Sequence, residues 1–446
     1  MNDAPGRQRA LEQVLRHGRD AHAFQTLAEA FEYWSPPDDD AVVAFVDTGG
    51  AWVAATSPLA PASRRGDVAR AFVQAARAAG RRAVFFALEE PLGDDFQSLA
   101  LGELPWWTAS GWVPRLAANR NLREQLRRAR ARAVQVSAVD PRVGLTCAQR
   151  EAVRALAERW LASRSMAPMG FLVQVDLLSF ASERRLFLAE HRGVLVGMLH
   201  AVPIPATRGW LVEDLLRAPG APNGSVEAMV DAAMRALAAE GATEVTLGLV
   251  PLAGPLAPWL RRVRRLGRSL YDFEGLRAFK SKLGPERWSP IFLAHPTGTS
   301  AARALMDLLC AFAGGSWLRF AWRTVLRGPR FLLQAMALML VPWTAGLALV
   351  DAERWFPSRA VQHAWVAFDL LLLAGLFSLT RRWRRGLATA LASAVTLDTA
   401  LTALQVVRFN LPHEKGLSGT LLAAAAVVAP GFSAFLLWRA RLQRPR

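Results

Sequence analysis

The chain is poor in the residue types that staple or metallate a fold. Only two of its 446 residues are cysteines, Cys147 and Cys310. They lie far apart and match no metal-ligand spacing, which excludes a disulfide framework and a cysteine-bound zinc site. No G-x-x-x-x-G-K-S/T run is present, so a P-loop nucleotide site is excluded as well. Met1 to Asp20 is polar and basic, with no apolar stretch of signal-peptide length, so the first domain is expected to stay in the cytoplasm. Acidic residues are too few to balance the basic ones. The 37 Asp and Glu against 54 Lys and Arg leave a formal charge of +17. That excess points to a polyanionic partner, either tRNA or an anionic bilayer surface. A genome rich in G and C would also enrich Arg and Ala.

What is present is divided unevenly. The apolar fraction is 52%. Before about residue 330 apolar and charged residues mix as in a globular protein, and beyond it long apolar runs alternate with short basic clusters. Four spans are read there: Phe331 to Val350, Ala364 to Thr380, Gly386 to Gln405 and Leu417 to Trp438. Each has about the length needed to cross ~30 Å of hydrocarbon at 1.5 Å per residue. Basic groups collect on one side of these spans: Arg323, Arg327 and Arg330, then Arg381 to Arg385, then Arg439 to Arg446. The positive-inside rule therefore expects a multi-pass protein of the bacterial inner membrane with both termini in the cytoplasm. Asp369 and Asp398 fall inside spans, where a carboxylate must face the bundle interior or an interface. Either a helix-orienting pair or a proton or substrate path fits them. Residues 301 to 330 read as an interfacial linker helix, with Leu305, Leu308, Leu309 and Phe312 at helical spacing.

Residues 41 to 300 alternate strand and helix signals, the mark of an α/β architecture. The alternation occurs twice. Ala41 to Asp47 and Ala51 to Thr56 precede a helix over Arg65 to Ala79 and a buried strand over Arg82 to Leu88. Later, Leu186 to Glu190, Val194 to Val202 and Trp210 to Leu216 precede a helix over Ser225 to Glu240 and a strand over Glu244 to Val250. The expected organisation is a subdomain over 1 to 160, a second over 161 to 300 carrying the cleft, the linker, and a four-helix membrane domain over 331 to 446. The start of the second helix, Pro222-Asn223-Gly224-Ser225, would point free N–H groups and the positive end of the helix dipole into the cleft.

Several segments here resemble the catalytic domain of bacterial phosphatidylglycerol lysyltransferases, the multiple peptide resistance factor family. They are Glu158-Arg159-Trp160-Leu161, Glu213-Asp214-Leu215-Leu216-Arg217, Ala221 to Glu227, Leu247 to Leu252, and Tyr271-Asp272-Phe273-Glu274-Gly275-Leu276-Arg277-Ala278-Phe279-Lys280-Ser281-Lys282. The resemblance runs from about residue 15 to 295. It implies an α/β soluble domain of tandem acetyltransferase-like (GNAT-like) fold, here followed by an α-helical transmembrane bundle. It also implies transfer of an aminoacyl group from aminoacyl-tRNA to a lipid hydroxyl, usually of phosphatidylglycerol. In the family's best-known members a large flippase bundle precedes the catalytic domain, whereas here the membrane segments follow it and are fewer.

Such a reaction begins from an activated ester and needs no ATP, cofactor or metal, only positioning and oxyanion stabilisation. Asp214 and Glu227 are candidates for the α-ammonium of the aminoacyl group, and Arg217 for the lipid phosphate. Asn223, Gly224 and Ser225 are candidates for substrate binding at the helix start. Tyr271 and Glu274, with Asp214, are candidates for catalysis through proton handling, and Lys280 and Lys282 for phosphate contacts. Arg120, Arg123, Arg127 and Arg130 fall within about 80° of one another on a helix, beside an apolar face of Leu122, Leu126 and Ala129, and suit tRNA phosphates. Arg261, Arg262, Arg264, Arg265 and Arg268 form a second basic cluster, for tRNA or anionic headgroups. The alternatives are transfer to another lipid, or a lipid-handling protein with a non-catalytic sensor domain.

Overall fold

A computed structural model describes residues 4–37, 40–164, 167, 169–173, 176, 179–267, 272–321, 329–381, 383–413 and 417–442. The chain divides into two compact units, one of Met1–Ser163 with Pro168–Phe320 and one of Arg164–Ala167 with Ala321–Arg446.

The first unit is mixed α/β, and the first and third of its helices are α1 (Ala4–His17) and α3 (Trp112–Ala118). Its strands are β1 (Glu32–Trp34), β2 (Val43–Asp47), β3 (Ala51–Ala55), β4 (Arg82–Leu88), β5 (Phe96–Thr108), β6 (Val134–Val139), β7 (Arg185–His191), β8 (Val194–Ile204), β9 (Gly209–Arg217), β10 (Glu244–Thr246), β11 (Val250–Pro251) and β12 (Arg287–Pro296). They form one sheet in the order β1-β2-β3-β4-β12-β5-β10-β9-β8-β7-β6, with β11 on β5. β4 is the predicted buried run: Ala83 to Leu88 are all buried, and helix α2 (Arg65–Ala78) covers one face with Val68, Phe72 and Ala76. A strand covered on both faces reads as a continuous apolar run.

The expected boundary at residue 160 does not hold. β5 lies early in the chain yet pairs with β10 of the second half, and β12 lies late yet pairs with β4 of the first. β5 and β12 pair with each other along ten positions, from Arg287↔Trp106 to Pro296↔Phe96. The two halves thus exchange strands into one continuous ladder, and helices α4 (Arg120–Ala131) and α5 (Cys147–Ala162) pack on the second half. Sequence order cannot reveal such a crossover, because backbone pairing carries no mark in side-chain periodicity.

The expected linker is also corrected. Helix α9 (Ala301–Phe312) belongs to the first unit, where Ala304, Leu305, Leu308 and Ala311 enter the main core. The buried Asp307 accepts two hydrogen bonds from Arg82 of β4, at 2.8 and 2.7 Å. The helix spacing was right, but its apolar face meets protein. Residues 322–328 of the expected linker lie outside the described residues.

In the second unit, three helices among the described residues are long and apolar enough to cross a membrane: Arg359–Arg381, Arg385–Asn410 and Leu421–Arg441. The first of the four expected spans falls on the helix Pro329–Leu349, which carries Pro342 in its interior. Its apolar part, Leu333–Leu349, is a shorter helix. At 1.5 Å per residue that part reaches about 26 Å, just under the hydrocarbon thickness. Its packing partners include Leu372, Leu376, Leu391 and Leu437 from the other three helices.

Candidate active site in a wedge between strands

The strand predicted over Glu244 to Val250 is broken, and the break makes the site. β9 pairs with β8 along its length but with β10 only at Trp210 and Leu211. After Thr246 the chain leaves β9, and Val250 and Pro251 pair instead with Glu103 and Gly102 of β5. Val212 to Arg217 therefore have no strand neighbour on that side among the described residues, and the sheet opens into a wedge. Gly102 permits the close approach of β11, since a Cβ there would stand 2.4 Å from the Val250 carbonyl oxygen.

Lys280 holds the diverging segment. It lies on helix α8 (Phe273–Lys282), whose start is capped by Asp272 accepting from the Gly275 N–H at 2.8 Å. The buried Lys280 Nζ donates to the carbonyls of Leu247, Gly248 and Leu249 at 2.7, 2.7 and 3.2 Å. Those carbonyls lost ladder partners when the strands parted, and the ammonium supplies three donors in their place. Burial pushes Lys280 down to about 7, while the carbonyls pull the other way by solvating the charge. Lys280 is thus committed to the backbone, which corrects its expected role as a phosphate contact.

On the opposite wall of the wedge, the β8–β9 ladder shifts register between His200 and Ala201, so that His200 faces Asp214, Ala201 faces Val212, and Glu213 is the extra residue. The shift sets two adjacent carboxylates in unlike surroundings. Glu213 is ion-paired with Arg184, which also reaches Asp176 at 3.8 Å, and Asp176 in turn pairs with Arg7 at 3.2 Å. Burial and the Asp214 and Asp176 carboxylates push Glu213 up to about 7, against the pull of Arg184. Asp214 has no cation at hydrogen-bond range among the described residues. Its buried Oδ2 lies 3.9 Å from His200 Nδ1, and neither atom has a hydrogen-bond partner among the described residues. The buried His22 Nδ1 is likewise without a hydrogen-bond partner among the described residues, and His22 is pushed down to about 4 by burial and by the charge of Lys280. Sequence reading missed both histidines, because a lone histidine in an apolar strand or loop looks like core.

The start of helix α6 (Ser225–Ala239) is where expectation fails. Gly224 has φ +91°, and a Cβ there would stand 2.3 Å from the Gln125 carbonyl oxygen of α4. Ser225 is fully buried and donates its hydroxyl to Pro222 O at 2.7 Å. α4 therefore closes this helix start, and Gly224 and Ser225 do not form the open anion cradle expected of them. Asn223 is exposed and Glu227 half-buried beside it. Arg217, at the exposed end of β9, donates to Ala221 O at 2.8 Å and so braces the same loop.

A family model described as phosphatidylglycerol lysyltransferase, C-terminal, matches residues 11–295. The chain belongs to this family. A phosphatidylglycerol lysyltransferase of Bacillus subtilis (strain 168) is 28% identical over 155 residues, which are 32% of this chain and 18% of that protein. The match thus spans less than a fifth of that relative's length. Two solved structures share the fold. The C-terminal domain assigned to a lysylphosphatidylglycerol synthetase of Agrobacterium fabrum has a TM-score of 0.61 at 22% identity, covering 70% of this chain and 99% of that one. L-PGS from Bacillus licheniformis has a TM-score of 0.61 at 18% identity, covering 73% and 99%.

Within this phosphatidylglycerol lysyltransferase-family chain, the described part of the resembling segment Tyr271 to Lys282 is largely architectural. Asp272 caps α8, Lys280 holds the wedge, and Arg277 lies over the Trp288 ring at 4.8 Å and reaches Glu103 at 3.2 Å. Glu274 is exposed in the first turn of α8 and Lys282 is exposed at its end. Tyr271 lies outside the described residues, as does Arg268.

The arginine stripe on α4 is exposed as expected, over buried Leu122, Leu126 and Ala129. Its members are not equivalent. Arg127 pairs with Glu124, and Arg123 donates to the Ala117 carbonyl, whereas Arg120 and Arg130 have no side-chain partner among the described residues. Helix α7 (Pro258–Gly267) exposes Arg261, Arg262 and Arg265.

Proposed function

We propose that the chain transfers an aminoacyl group from aminoacyl-tRNA to the hydroxyl of a membrane lipid, phosphatidylglycerol in the first instance, with the wedge as its active site. The observation that carries this reading is the unsatisfied, buried Asp214 carboxylate in a wedge of a chain belonging to this family. A carboxylate without a donor in a water-poor site is a strong acceptor for an ammonium, and every aminoacyl ester brings one. The lipid hydroxyl oxygen attacks the ester carbonyl carbon, the bond to the tRNA ribose oxygen breaks, and the hydroxyl proton ends on that oxygen. One ester replaces another, so placement of the two substrates supplies most of the rate.

In this reading Asp214 and Glu227 receive the α-ammonium, and Arg217, released from Ala221 O, meets the lipid phosphate. Glu274 and Tyr271 handle the proton, and Asn223 and Lys282 border the substrates. Arg120, Arg123, Arg127 and Arg130 receive tRNA phosphates. The catalytic unit lies on the cytoplasmic side of the bacterial inner membrane, held by a multi-pass anchor whose first span is the helix Pro329–Leu349.

The test is transfer of label from mixed radiolabelled aminoacyl-tRNAs to lipid, with purified protein in anionic liposomes. Label in the lipid fraction, lost in Asp214→Ala and Arg217→Ala, supports the reading. Label that stays on tRNA, or that reaches lipid only from acyl-coenzyme A, overturns it.

A further inference from the structure

In the second unit a partly open cavity of about 720 Å³ lies among the four long helices. Most of the lining is aliphatic or aromatic, including Leu372, Leu436, Trp343 and Trp365, and its only charged members among the described residues are Asp369 and Asp398. The two carboxylates come from different helices, Arg359–Arg381 and Arg385–Gln405.

Asp369 is buried, with 6% of its surface exposed, and its one partner is compromised. Thr344 Oγ1 lies 3.3 Å from Asp369 Oδ2 but also 2.8 Å from the Leu340 carbonyl oxygen, one turn back on its own helix. A hydroxyl has a single hydrogen, so Thr344 shares it between the two acceptors and the longer contact, to Asp369, is the weaker. A carboxylate so placed between apolar helices costs several kcal/mol unless a cation or donor meets it.

The cavity is sized for a ligand of some tens of atoms, and its walls select the class. The lining also holds Thr402, Gln405, Asn410 and Ser433, but no group of three or more His, Cys, Asp or Glu able to hold a metal ion occurs among the described residues. A primary ammonium satisfies the site differently, with three hydrogens to share between two carboxylates and an apolar body to cover the aliphatic wall. We propose that this cavity binds an amphipathic primary amine, its ammonium between Asp369 and Asp398 and its chain along the Leu372 and Leu436 side. An aminoacylated lipid has this chemistry, as does any single-chain alkylamine. The binding itself does not depend on the transferase reading.

The test uses the full-length protein in phosphatidylcholine nanodiscs with radiolabelled dodecylamine. Binding at least about tenfold tighter than dodecanol or dodecyl sulfate is expected, with that preference lost in Asp369→Asn with Asp398→Asn. Equal competition by the alcohol and the amine overturns the proposal, and this comparison needs only the unmodified protein, so a variant that fails to fold does not spoil it. Equal amine preference in a folded double variant overturns it too. Displacement by lysyl-phosphatidylglycerol but not phosphatidylglycerol identifies the ligand as an aminoacyl lipid, whereas displacement by alkylamines alone identifies an unrelated amine. Both outcomes support the cavity's selectivity, and both stand whether or not the protein transfers label from tRNA.

Discussion

His200 Nδ1 and Asp214 Oδ2 face each other at 3.9 Å across the β8–β9 ladder, both buried and both otherwise without a partner among the described residues. The separation is too long for a hydrogen bond and fits one small donor able to give hydrogens to both atoms. Buried polar atoms are rarely left in this state. In the proposed function, that donor is the ammonium of the aminoacyl group.

Removing the charge of Asp214 should therefore act on catalysis more than on folding. Asp214→Asn is expected to lower kcat/KM for aminoacyl-tRNA by about 100-fold, corresponding to ~2.7 kcal/mol for a lost charge-assisted bond, with Tm little changed. His200→Gln, which keeps a polar side chain, should cost about tenfold. Steady-state kinetics beside thermal melts would check both, and a large loss of Tm without a specific loss of rate would count against the site.

Lys280 should act as framework. Lys280→Met leaves three buried carbonyls without their donor and should cost roughly 2–5 kcal/mol. Because burial lowers the folded-state value from 10.5 to about 7, the unfolded chain binds the proton more tightly, and Lys280 contributes stability that rises with pH between those values. The variant should lose that rise, which denaturant melts over the same window would measure.

Glu89 should produce the opposite slope. Its carboxyl accepts from the Ala21 N–H, and burial followed by the neighbouring Asp20 carboxylate raises it from 4.5 to about 8. The folded protein keeps a proton that the unfolded chain has released, so this group's contribution falls as pH rises from 4.5 to about 8. Glu89→Gln should flatten the fall and stabilise the protein near pH 8 by up to about 5 kcal/mol. Melts that retain the wild-type slope would remove Glu89 as its source.

If α4 meets tRNA, its free arginines should matter most. Replacing Arg120 and Arg130 by Ala should raise the dissociation constant for tRNA and reduce the slope of log affinity against log salt by about 1–2. Arg127→Ala, already offset by Glu124, should change it less. Filter binding across a salt series reads both, and an unchanged slope in the double variant would move tRNA elsewhere.

The Arg82–Asp307 pair leads to a prediction about limits. A fragment ending at residue 320 should fold, whereas one ending at residue 300 loses α9, exposes the core that Leu305 and Leu308 cover, and should aggregate. Solubility and cooperative melting of the two fragments would decide.

Much of this was legible in order along the chain. Local periodicity determined the buried run of β4, the apolar stripe of α6, the exposed arginines over Leu122 and Leu126, and the apolar helices beyond residue 330, because each depends on which face of one element meets water. Tertiary structure alone decided the exchange of β5 and β12, the closing of the Ser225 helix start under α4, and the turning of Lys280 from a presumed phosphate ligand into a clamp on three carbonyls. It also decided that His200 and Asp214 face each other across the β8–β9 ladder. The physical reason is common to all four: strand pairing and burial join residues whose separation in sequence leaves no periodic trace, so their partners exist only once the chain has folded.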